Sequence, residues 1–512
     1  MEIKKEILKS CIKKGFLIDK EVLEALSSFE LSFSEKLING IFDAKVSEKF
    51  LTKDFFESNY YILEVLFCLN DECILLDNFI SKLNINKKEQ KLINYPNDVK
   101  ILSSNSISSK KIEISDFIQH FRNRYEQIRE ILQENDLKNL KSIRRLSSDR
   151  ETQTIIVMVM NKKTTKNKNL LLEVEDLTGR TKILVNENRG ELYDKCKNIL
   201  LDEVLAFEVS GSKELMFANK VIFPDMHLLE KKKGENDCNM AVISDLHIGS
   251  KMFLESNFLD FIKWLNGEKE TDKELSKKIK YLFIVGDTID GVGVFPDQEK
   301  LLEIKEILAQ YKKLAECLNL IRKDVKIILC PGQHDAVWVG EPQLVIGEKW
   351  ASDLYKMNNL TLVTNPALVE VEGFKIIMYH GASFHGVVEQ NSDIRVNNGS
   401  NNPTIILKEL LKGRHLAPTH GECDYVPNEK KDSMVLDTIP DIILTGDLHR
   451  PEVSNYNNIL LIASSCWQSI TPFEEKIGNN PDPCKVPVFN FKTREIKTMD
   501  FLIKVEAENG GN

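Results

Sequence analysis

The sequence lacks long apolar runs and has no excess of positive charge. No apolar segment approaches the roughly 18 residues that a bilayer-spanning helix needs. The first residues, MEIKKEILKS, hold lysine and glutamate where a secretory signal would have an apolar core. Lys and Arg number 69 against 78 Asp and Glu, which gives a net charge of −9. We therefore expect a cytoplasmic protein with no membrane partner, and not one that coats nucleic acid through an overall positive field.

The ten cysteines form no C-x-x-C pair and no framework spacing. Free thiols are therefore expected in place of disulfides or a cysteine-based zinc site. The histidines are distributed differently, because seven of the nine lie between residues 247 and 449. This concentration suits a metal centre in that part of the chain.

A chain of 512 residues is long for one core, so two or three domains are expected. The first 150 residues contain three segments that differ in composition and in the spacing of their apolar residues. Apolar residues at helical spacing predict a helical N-terminal domain over residues 1–75, which suits either partner contact or a simple structural cap. Residues 76–114 are rich in Ser, Asn and Lys, which predicts a flexible linker. An apolar stripe then predicts a helix within 115–150 that leads into the next domain.

The rest of the chain predicts two domains built on strands. Five short strands and one helix between residues 151 and 226 fit a small closed barrel of the oligonucleotide/oligosaccharide-binding (OB) type. Exposed aromatic residues are few there, so a docking role between domains is the more cautious interpretation. Between residues 238 and 505, buried strands alternate with helices, which predicts a layered α/β domain.

Five short segments in this last region carry acidic and imidazole side chains at the ends of apolar runs. They are AVISDLHIGS (241–250), IVGDTID (284–290), PGQHDA (331–336), YHG (379–381) and LTGDLH (444–449). A single Gly-Asp at a strand end is usually a turn. The whole series predicts loops that converge on one edge of a sheet. Carboxylates and imidazoles gathered there can hold two divalent cations, which clamp a phosphate and activate water.

In this order the segments resemble the calcineurin-like metallophosphoesterase superfamily, over residues of about 240 to 470. Two further segments, RHLAPTHGECDY (414–425) and SSCWQSITPFEEKIGNNPDP (464–483), resemble more narrowly the small subunit of the archaeal family D DNA polymerase. The resemblance implies an OB-fold barrel followed by a four-layered α/β/β/α phosphoesterase domain. It also implies metal-dependent 3′–5′ exonuclease activity on single-stranded DNA ends. The implied partners are a large catalytic polymerase subunit in a heterodimer, DNA, and other replication factors.

The resemblance also assigns roles to residues of this sequence. The first of two divalent ions would be held by Asp245, His247, Asp287 and His449, with Asp287 bridging to the second. The second ion would be completed by Gln333, His380 and Asp447. His334 would stabilise or protonate the leaving oxygen, and Asp335 would orient His334.

Two of these residues depart from the family pattern. Gln333 stands where the family has Asn, and Asp447 stands where it has the first His of GHxH. The additional oxygen character favours Mn²⁺, or else Mg²⁺, over softer ions. Three functions stay open at this point: an active exonuclease, a scaffold subunit that has lost the activity, and a phosphatase acting on small phosphoesters or proteins.

Some nearby residues have weaker expectations. Asp290 is expected to cap a turn and not to bind metal. His385 and His420 are expected to be surface residues, although either could approach a substrate. For Arg414 and His415, the sequence does not separate a phosphate-binding role from a structural one.

Overall fold

The computed structural model describes residues 2–43, 49–58, 79–83, 99–103, 112–146, 151–397, 399–428, 430–477 and 479–502. The chain divides into two compact units. The first comprises Met1–Asn94 with Ser108–Glu113, and the second comprises Tyr95–Ile107 with Ile114–Asn512. None of the described helices combines the length and the apolar character needed to cross a bilayer.

The described part of the first unit is mainly helical. Its helices are α1 (Glu2–Lys13), α2 (Lys20–Leu26), α3 (Leu31–Asp43) and α4 (Lys53–Ser58), and the two-residue strands β1 (Leu17–Ile18) and β2 (Phe50–Leu51) pair in parallel. Apolar residues at helical spacing, among them Ile7, Leu26, Leu37 and Phe56, are fully buried in a common core. The hydrophobic effect on this one-sided pattern is sufficient reason for the helices to pack. Residues 1, 44–48 and 59–75 of the region predicted to be helical lie outside the described residues.

Most of the predicted linker, residues 76–114, also lies outside the described residues. Two described parts of it are ordered. Residues 79–83 are mainly helical, and Phe79, Ile80 and Leu83 are buried in the core of the first unit. Val99–Ser103 forms β3, which pairs antiparallel with β13 (Ala367–Val371) at the edge of a sheet. Val99 is buried, and the Nζ atom of Lys100 lies 2.8 Å from Oε1 of Glu370 across the pair. For residues 79–83 and 99–103 the linker prediction was wrong. The alternation of Val99 and Ile101 is too short to stand out among the polar residues around it.

The second unit begins with helix α5 (Ile114–Gln133) and a closed five-stranded barrel. The strands are β4 (Gln153–Thr164), β5 (Leu170–Asp176), β6 (Gly179–Val185), β7 (Val204–Gly211) and β8 (Met216–Ile222), closed in the order β4-β5-β6-β8-β7, with α6 (Gly190–Lys197) between β6 and β7. Only the β6–β8 pair is parallel. Alternate residues such as Val157, Leu172 and Phe207 are buried inside, as the period of two in a strand requires. The predicted barrel of five short strands is therefore present.

Two six-stranded sheets follow the barrel. The first has the order β12-β11-β10-β9-β18-β19 and the second has the order β16-β17-β15-β14-β13-β3. Their remaining strands are β9 (Asn239–Ile243), β10 (Ile279–Val285), β11 (Lys326–Cys330), β12 (Leu360–Leu362), β14 (Phe374–Met378), β15 (Ile442–Thr445), β16 (Glu452–Tyr456), β17 (Ile459–Ala463), β18 (Lys485–Asn490) and β19 (Ile496–Asp500).

Eight helices connect these strands in the described residues. They are α7 (Glu255–Leu265), α8 (Lys273–Lys277), α9 (Ile307–Asn319), α10 (Glu348–Ala351), α11 (Phe384–Gln390), α12 (Ser392–Val396), α13 (Pro403–Gly413) and α14 (Pro472–Ile477). Phe283 from the first sheet and Ile376 from the second are buried in one shared core, so the sheets pack face to face. Ile377 points the other way and packs with Leu410 of α13, so helices cover the outer face of the second sheet.

The direction of the strands determines where chemistry can occur. In the first sheet β9, β10 and β11 are parallel, and in the second β14 and β15 are parallel. Parallel neighbours end at the same edge of a sheet, so the loops that follow them lie side by side. All five segments singled out in the sequence are loops of this kind.

Candidate metal centre

Every predicted ligand lies directly after one of these parallel strands. Asp245 and His247 follow β9, Asp287 follows β10, Gln333 follows β11, His380 follows β14, and Asp447 and His449 follow β15. The described structure brings all seven side chains to one place. Three groups of carboxylate and imidazole atoms lie within 4.8 Å of one another there: Asp245 with His247 and His449, Asp245 with Asp287 and His380, and His247 with Asp290 and His334.

The backbone at these positions has an unusual conformation. Asp245, His247, Asp287, Asp447 and His449 all have positive φ angles, between 47° and 69°. Residues other than glycine seldom adopt this left-handed region, at a cost on the order of 1–3 kcal/mol each. Such strain in five residues is retained only where the surrounding fold enforces it, and it commonly marks functional sites.

A glycine also makes room for the cluster. A Cβ atom added at Gly332 would lie 2.2 Å from Oδ1 of Asp287 and 2.8 Å from Cδ2 of His380. Neither distance is compatible with a side chain at residue 332. The close packing of the β10, β11 and β14 loops therefore requires glycine at this position.

The distances around Asp245 are those of ligands that share a cation. Its Oδ1 atom lies 3.4 Å from Nε2 of His449, 3.8 Å from Nε2 of His380 and 4.0 Å from Nε2 of His247. These separations are too long for hydrogen bonds. Two ligand atoms that each lie about 2.1 Å from one ion are about 3 to 4 Å apart.

Asp287 occupies a similar central position. Its Oδ2 atom lies 3.3 Å from Nε2 of His380, 3.9 Å from Nε2 of His334 and 4.0 Å from Nε2 of His247. The other oxygen, Oδ1, accepts a hydrogen bond from the backbone N–H of His334 at 2.9 Å. One oxygen is thus fixed by the backbone, while the other faces imidazoles from three different loops.

Two buried carboxylates orient imidazoles of the centre. Nδ1 of His247 lies 3.1 Å from Oδ1 of Asp290, and Nδ1 of His449 lies 2.7 Å from Oε1 of Glu474. An imidazole that donates from Nδ1 presents the lone pair of Nε2 to the opposite side. Both Nε2 atoms face the centre and lie 3.2 Å apart. Carboxylates that hold metal-binding histidines in this way also increase the basicity of the ring.

Backbone carbonyls hold the other two imidazoles. Nδ1 of His380 lies 2.7 Å from the carbonyl oxygen of Val285, and Nδ1 of His334 lies 2.8 Å from that of Asp290. The carbonyl can only accept, so each Nδ1 carries the proton and each Nε2 faces inward. All four rings of the centre are therefore anchored on one nitrogen and open on the other.

The centre contains buried polar atoms that no group in the described residues satisfies. Oδ1 of Asp245, Oε1 of Gln333, Nε2 of His380 and Oδ2 of Asp447 are buried and make no hydrogen bond. Native proteins pair the great majority of such atoms, so each exception calls for an explanation. All four belong to the predicted ligand set, and all can donate a lone pair. The residues present therefore fit divalent cations, with oxygen and imidazole ligands.

The charges of the centre stabilise one another. Burial raises the pKa of Asp287, but the positive charges of His380 and His334 outweigh it and hold that pKa far below its usual value. Burial lowers the pKa of His380, but the carboxylates of Asp287 and Asp245 outweigh it and hold that pKa well above its usual value. In the protein without metal, protons on imidazoles thus balance the carboxylates. Bound cations would take over that role.

Asp335 has a different role from the one expected. It is buried, and its carboxylate accepts hydrogen bonds from the N–H groups of Thr288 (3.1 Å) and Gly332 (2.9 Å) and from the hydroxyl of Tyr311 (3.1 Å). The His334 ring is held instead by the Asp290 carbonyl. The expectation that Asp335 orients His334 therefore requires correction. Since residue 335 points back under the β10 and β11 loops, it clamps those loops together.

Reasoning from sequence missed Glu474 and did not anticipate the role of Asp290. Asp290 was expected to cap a turn, yet it holds His247 by its side chain and His334 by its carbonyl. The sequence did contain a signal for Asp290, because it follows the predicted ligand Asp287 by three residues in the same loop. Glu474 lies in the TPFEEK stretch, where nothing distinguishes it from the neighbouring Glu475 until the fold brings it to His449.

The RHLAP segment has structural contacts. The Nε atom of Arg414 donates to the carbonyl of Pro224 at 3.1 Å, which fixes the chain just after the barrel. Nε2 of His415 lies 2.9 Å from Oδ2 of Asp432, and Nε of Arg124 on α5 donates to the same oxygen at 2.7 Å. These contacts are buried and hold α5 and the barrel to the two-sheet part. Of the two roles left open for Arg414 and His415, phosphate binding and structure, these contacts support the structural one.

Comparison with known proteins identifies relatives of this chain. Residues 240–454 match the family model that describes the B subunit of DNA polymerases alpha and epsilon. The DNA polymerase II small subunit of Methanothermobacter thermautotrophicus is 35% identical over 388 residues, covering 74% of this chain and 78% of that protein. The protein of the same description from Pyrococcus furiosus is 34% identical over 399 residues, covering 76% and 64%. The match to a solved structure of a novel archaeal phosphodiesterase covers 51% of this chain and 98% of that one, at 13% identity and a TM-score of 0.26. On the identity and coverage of these relatives, the chain belongs to the family of archaeal DNA polymerase II small subunits, the small subunits of family D DNA polymerase.

Proposed function

We propose that this chain carries metal-dependent 3′–5′ exonuclease activity and proofreads single-stranded DNA ends for a two-subunit replicative polymerase. Its partner in that heterodimer is the large, catalytic subunit, and other replication factors are further partners. The observation that carries the nuclease part is the buried centre, in which four ligand-type atoms have no partner among the residues that the structure describes. We further assign the closed barrel to the OB type and the two-sheet part to the four-layered phosphoesterase type.

Two divalent cations, Mn²⁺ or else Mg²⁺, fit the ligands of the centre. One would be held by Asp245, His247 and His449, and the other by His380, Gln333 and Asp447, with Asp287 shared between them. When bound, such a pair supplies positive charge that activates water and neutralises phosphoryl oxygens. The carboxylates and amide favour hard ions of this type.

The proton for the leaving oxygen is assigned to His334. Its Nδ1 is fixed on the Asp290 carbonyl, so Nε2 faces the centre, 3.9 Å from Oδ2 of Asp287. The side chain is about one-fifth exposed, unlike the fully enclosed His380, so a substrate can reach it. Protonated at Nε2, His334 would donate to the oxygen that leaves the scissile phosphodiester.

Two apolar loops beside His334 favour a nucleic-acid substrate over a small phosphoester. The ring of Phe295 lies 6.3 Å from that of His334, and Val294 in the same loop is exposed. Trp338 and Val339 follow His334 on the other loop and are 70% and 54% exposed. Bases of a single strand stack on aromatic side chains such as Phe295 and Trp338, whereas a small phosphate ester would not need them.

The departures at Gln333 and Asp447 favour one competing function, a scaffold subunit without nuclease activity. One experiment distinguishes the exonuclease from the scaffold. The full chain, alone and with its large subunit, is incubated with Mn²⁺ and an end-labelled primer that carries a 3′ mismatch. We expect stepwise loss of 3′ nucleotides, abolished in Asp245→Ala and retained in the matched control His227→Ala, an exposed histidine outside the centre. Inertness of both preparations would establish the scaffold. Turnover of small phosphoesters with the primer intact would establish a phosphatase.

A further inference from the structure

The second cation site, as proposed above, has one ligand of unexpected type. Asp447 replaces the imidazole that the family pattern places there. Its Oδ2 atom is buried and makes no hydrogen bond. The imidazole closest to that atom is His385, whose Nε2 lies 3.9 Å from Oδ2 of Asp447. His385 was expected to be a surface residue, and its side chain is indeed 61% exposed.

The turn after β14 holds His385 at this position. Gly381 has a φ of 132°, and a Cβ there would lie 3.0 Å from Cβ of Asp447 and 3.1 Å from the ring of Phe384. Only glycine therefore allows this turn to pack against residue 447. The backbone N–H of Phe384 donates to the carbonyl of Gly381 at 2.9 Å, and the Phe384 ring is fully buried. His385 follows this anchor directly, at the beginning of α11, on the rim of the centre.

The distance between the two side chains has a specific meaning. At 3.9 Å, His385 and Asp447 do not satisfy each other by a hydrogen bond. Two ligand atoms about 2.1 Å from one ion lie about 3 Å apart at a right angle and about 4 Å apart when opposed. Nε2 of His385 and Oδ2 of Asp447 are separated as ligands of a common cation are.

A neighbouring residue supports a shared ion at this place. Nε2 of Gln333 lies 3.4 Å from Oδ1 of Asp447, which is a weak contact, and Oε1 of Gln333 is buried without a partner. Gln333 and Asp447 therefore both have an unused oxygen, and His385 lies beside that of Asp447. The imidazole of His385, on the solvent-exposed side, would complete the ligands of the second cation.

We propose that His385 is an additional ligand of the second divalent cation and replaces, from a different loop, the imidazole that Asp447 removed. The inference rests on the proposed function, because it requires a second cation at Asp287, His380, Gln333 and Asp447. With His385 the site again has two imidazoles. The imidazole ligand then comes from residue 385 and not from residue 447, while its place beside the second cation is kept.

The test measures cation binding directly. Mn²⁺ is titrated into the full chain, and free Mn²⁺ is followed by its electron paramagnetic resonance signal. We expect two bound ions in the wild type. In His385→Ala we expect one ion bound as in the wild type and the other weakened about tenfold or more, since even residues behind the ligands change affinity by that much. The control His227→Ala removes an exposed histidine elsewhere and should bind as the wild type does.

A rescue variant separates a ligand role from general damage. The double variant with Asp447→His and His385→Ala returns the imidazole to residue 447 and should regain the second ion. Two ions bound with unchanged affinity in His385→Ala would overturn the inference and leave the proposed function standing. Loss of DNA cleavage in His385→Ala with both ions retained would also overturn it, since His385 would then contact substrate. No bound ion in the wild type would overturn the proposed function itself.

Discussion

Replacing Glu474 by Gln should weaken cation binding through His449. Oε1 of Glu474 accepts from Nδ1 of His449 at 2.7 Å, and both side chains are at least nine-tenths buried. Glutamine has nearly the same shape but no charge, so His449 becomes a less basic ligand. Outer carboxylates of this kind typically contribute 10- to 100-fold in metal affinity, or about 1.4–2.7 kcal/mol. We expect the Mn²⁺ dissociation constant of one site to rise by such a factor.

The protonation state of Glu474 does not complicate the measurement. Burial raises its pKa, but the hydrogen bond and charge of His449 outweigh it and lower the pKa to about 2 from a usual value of 4.5. A carboxyl with a depressed pKa contributes stability above the unfolded value, and that contribution is lost as the pH falls through the folded value. Between pH 6 and 8 the wild-type carboxylate is therefore fully charged, so titration of Glu474 itself does not contribute to the change in affinity.

Two controls make this prediction decisive. Glu475→Gln changes the same residue type one position further along α14, where the side chain is exposed. Thr471→Ala removes the hydroxyl that donates to Oε2 of Glu474 at 2.9 Å and leaves the contact with His449 in place. Both variants should bind Mn²⁺ as the wild type does. If Glu474→Gln also bound Mn²⁺ with unchanged affinity, the assignment of His449 as a ligand oriented by Glu474 would be refuted.

Three further predictions concern other parts of the second unit. Gly332→Ala should abolish Mn²⁺ binding and hydrolysis, because the added Cβ would lie 2.2 Å from Oδ1 of Asp287; retention of tight binding in a titration would contradict this packing. Trp338→Ala should raise KM for a single-stranded primer about 5- to 150-fold, as loss of one stacked base does, and should leave the hydrolysis of a base-free phosphodiester unchanged; an equal loss on both substrates would argue against stacking. Asp432→Ala should lower the free energy of unfolding in urea by about 3–5 kcal/mol, since it leaves the buried guanidinium of Arg124 without its carboxylate, and a change below about 1 kcal/mol would show that the buried pair is not essential.

The parallel strands and the loops that follow them could be predicted from the sequence because the signal is local. Residues such as Phe283 and Ile328 lie in uninterrupted apolar runs, as strands buried on both faces require. Asp287 and Gln333 follow these runs directly, so the topology of the sheet brings them together. The closed barrel was predictable for a similar reason, since its strands alternate and end at recognisable turns.

The remaining features depend on contacts between residues distant in the chain. Glu474 and His449 are neighbours in space because α14 folds back over the β15 loop, and no local pattern records that. The approach of His385 to Asp447 depends on the turn at Gly381, and β3 depends on a sheet edge built more than 250 residues later. In each case the sequence specifies the residue, but only tertiary packing gives it a partner.

The anchoring of the imidazoles bears on whether altered ligands leave a working site. His247, His334, His380 and His449 are each held at Nδ1 by an oxygen that belongs to the protein, so their orientation does not depend on a bound cation. A centre arranged in advance loses affinity, but not geometry, when one ligand changes type. Asp447, at the edge of the cluster, can therefore differ from the family pattern while the remaining ligands keep their places. Four aligned imidazoles and five residues in strained conformations favour the proposed nuclease over a scaffold, because a site that has lost its function is under no constraint to keep either feature.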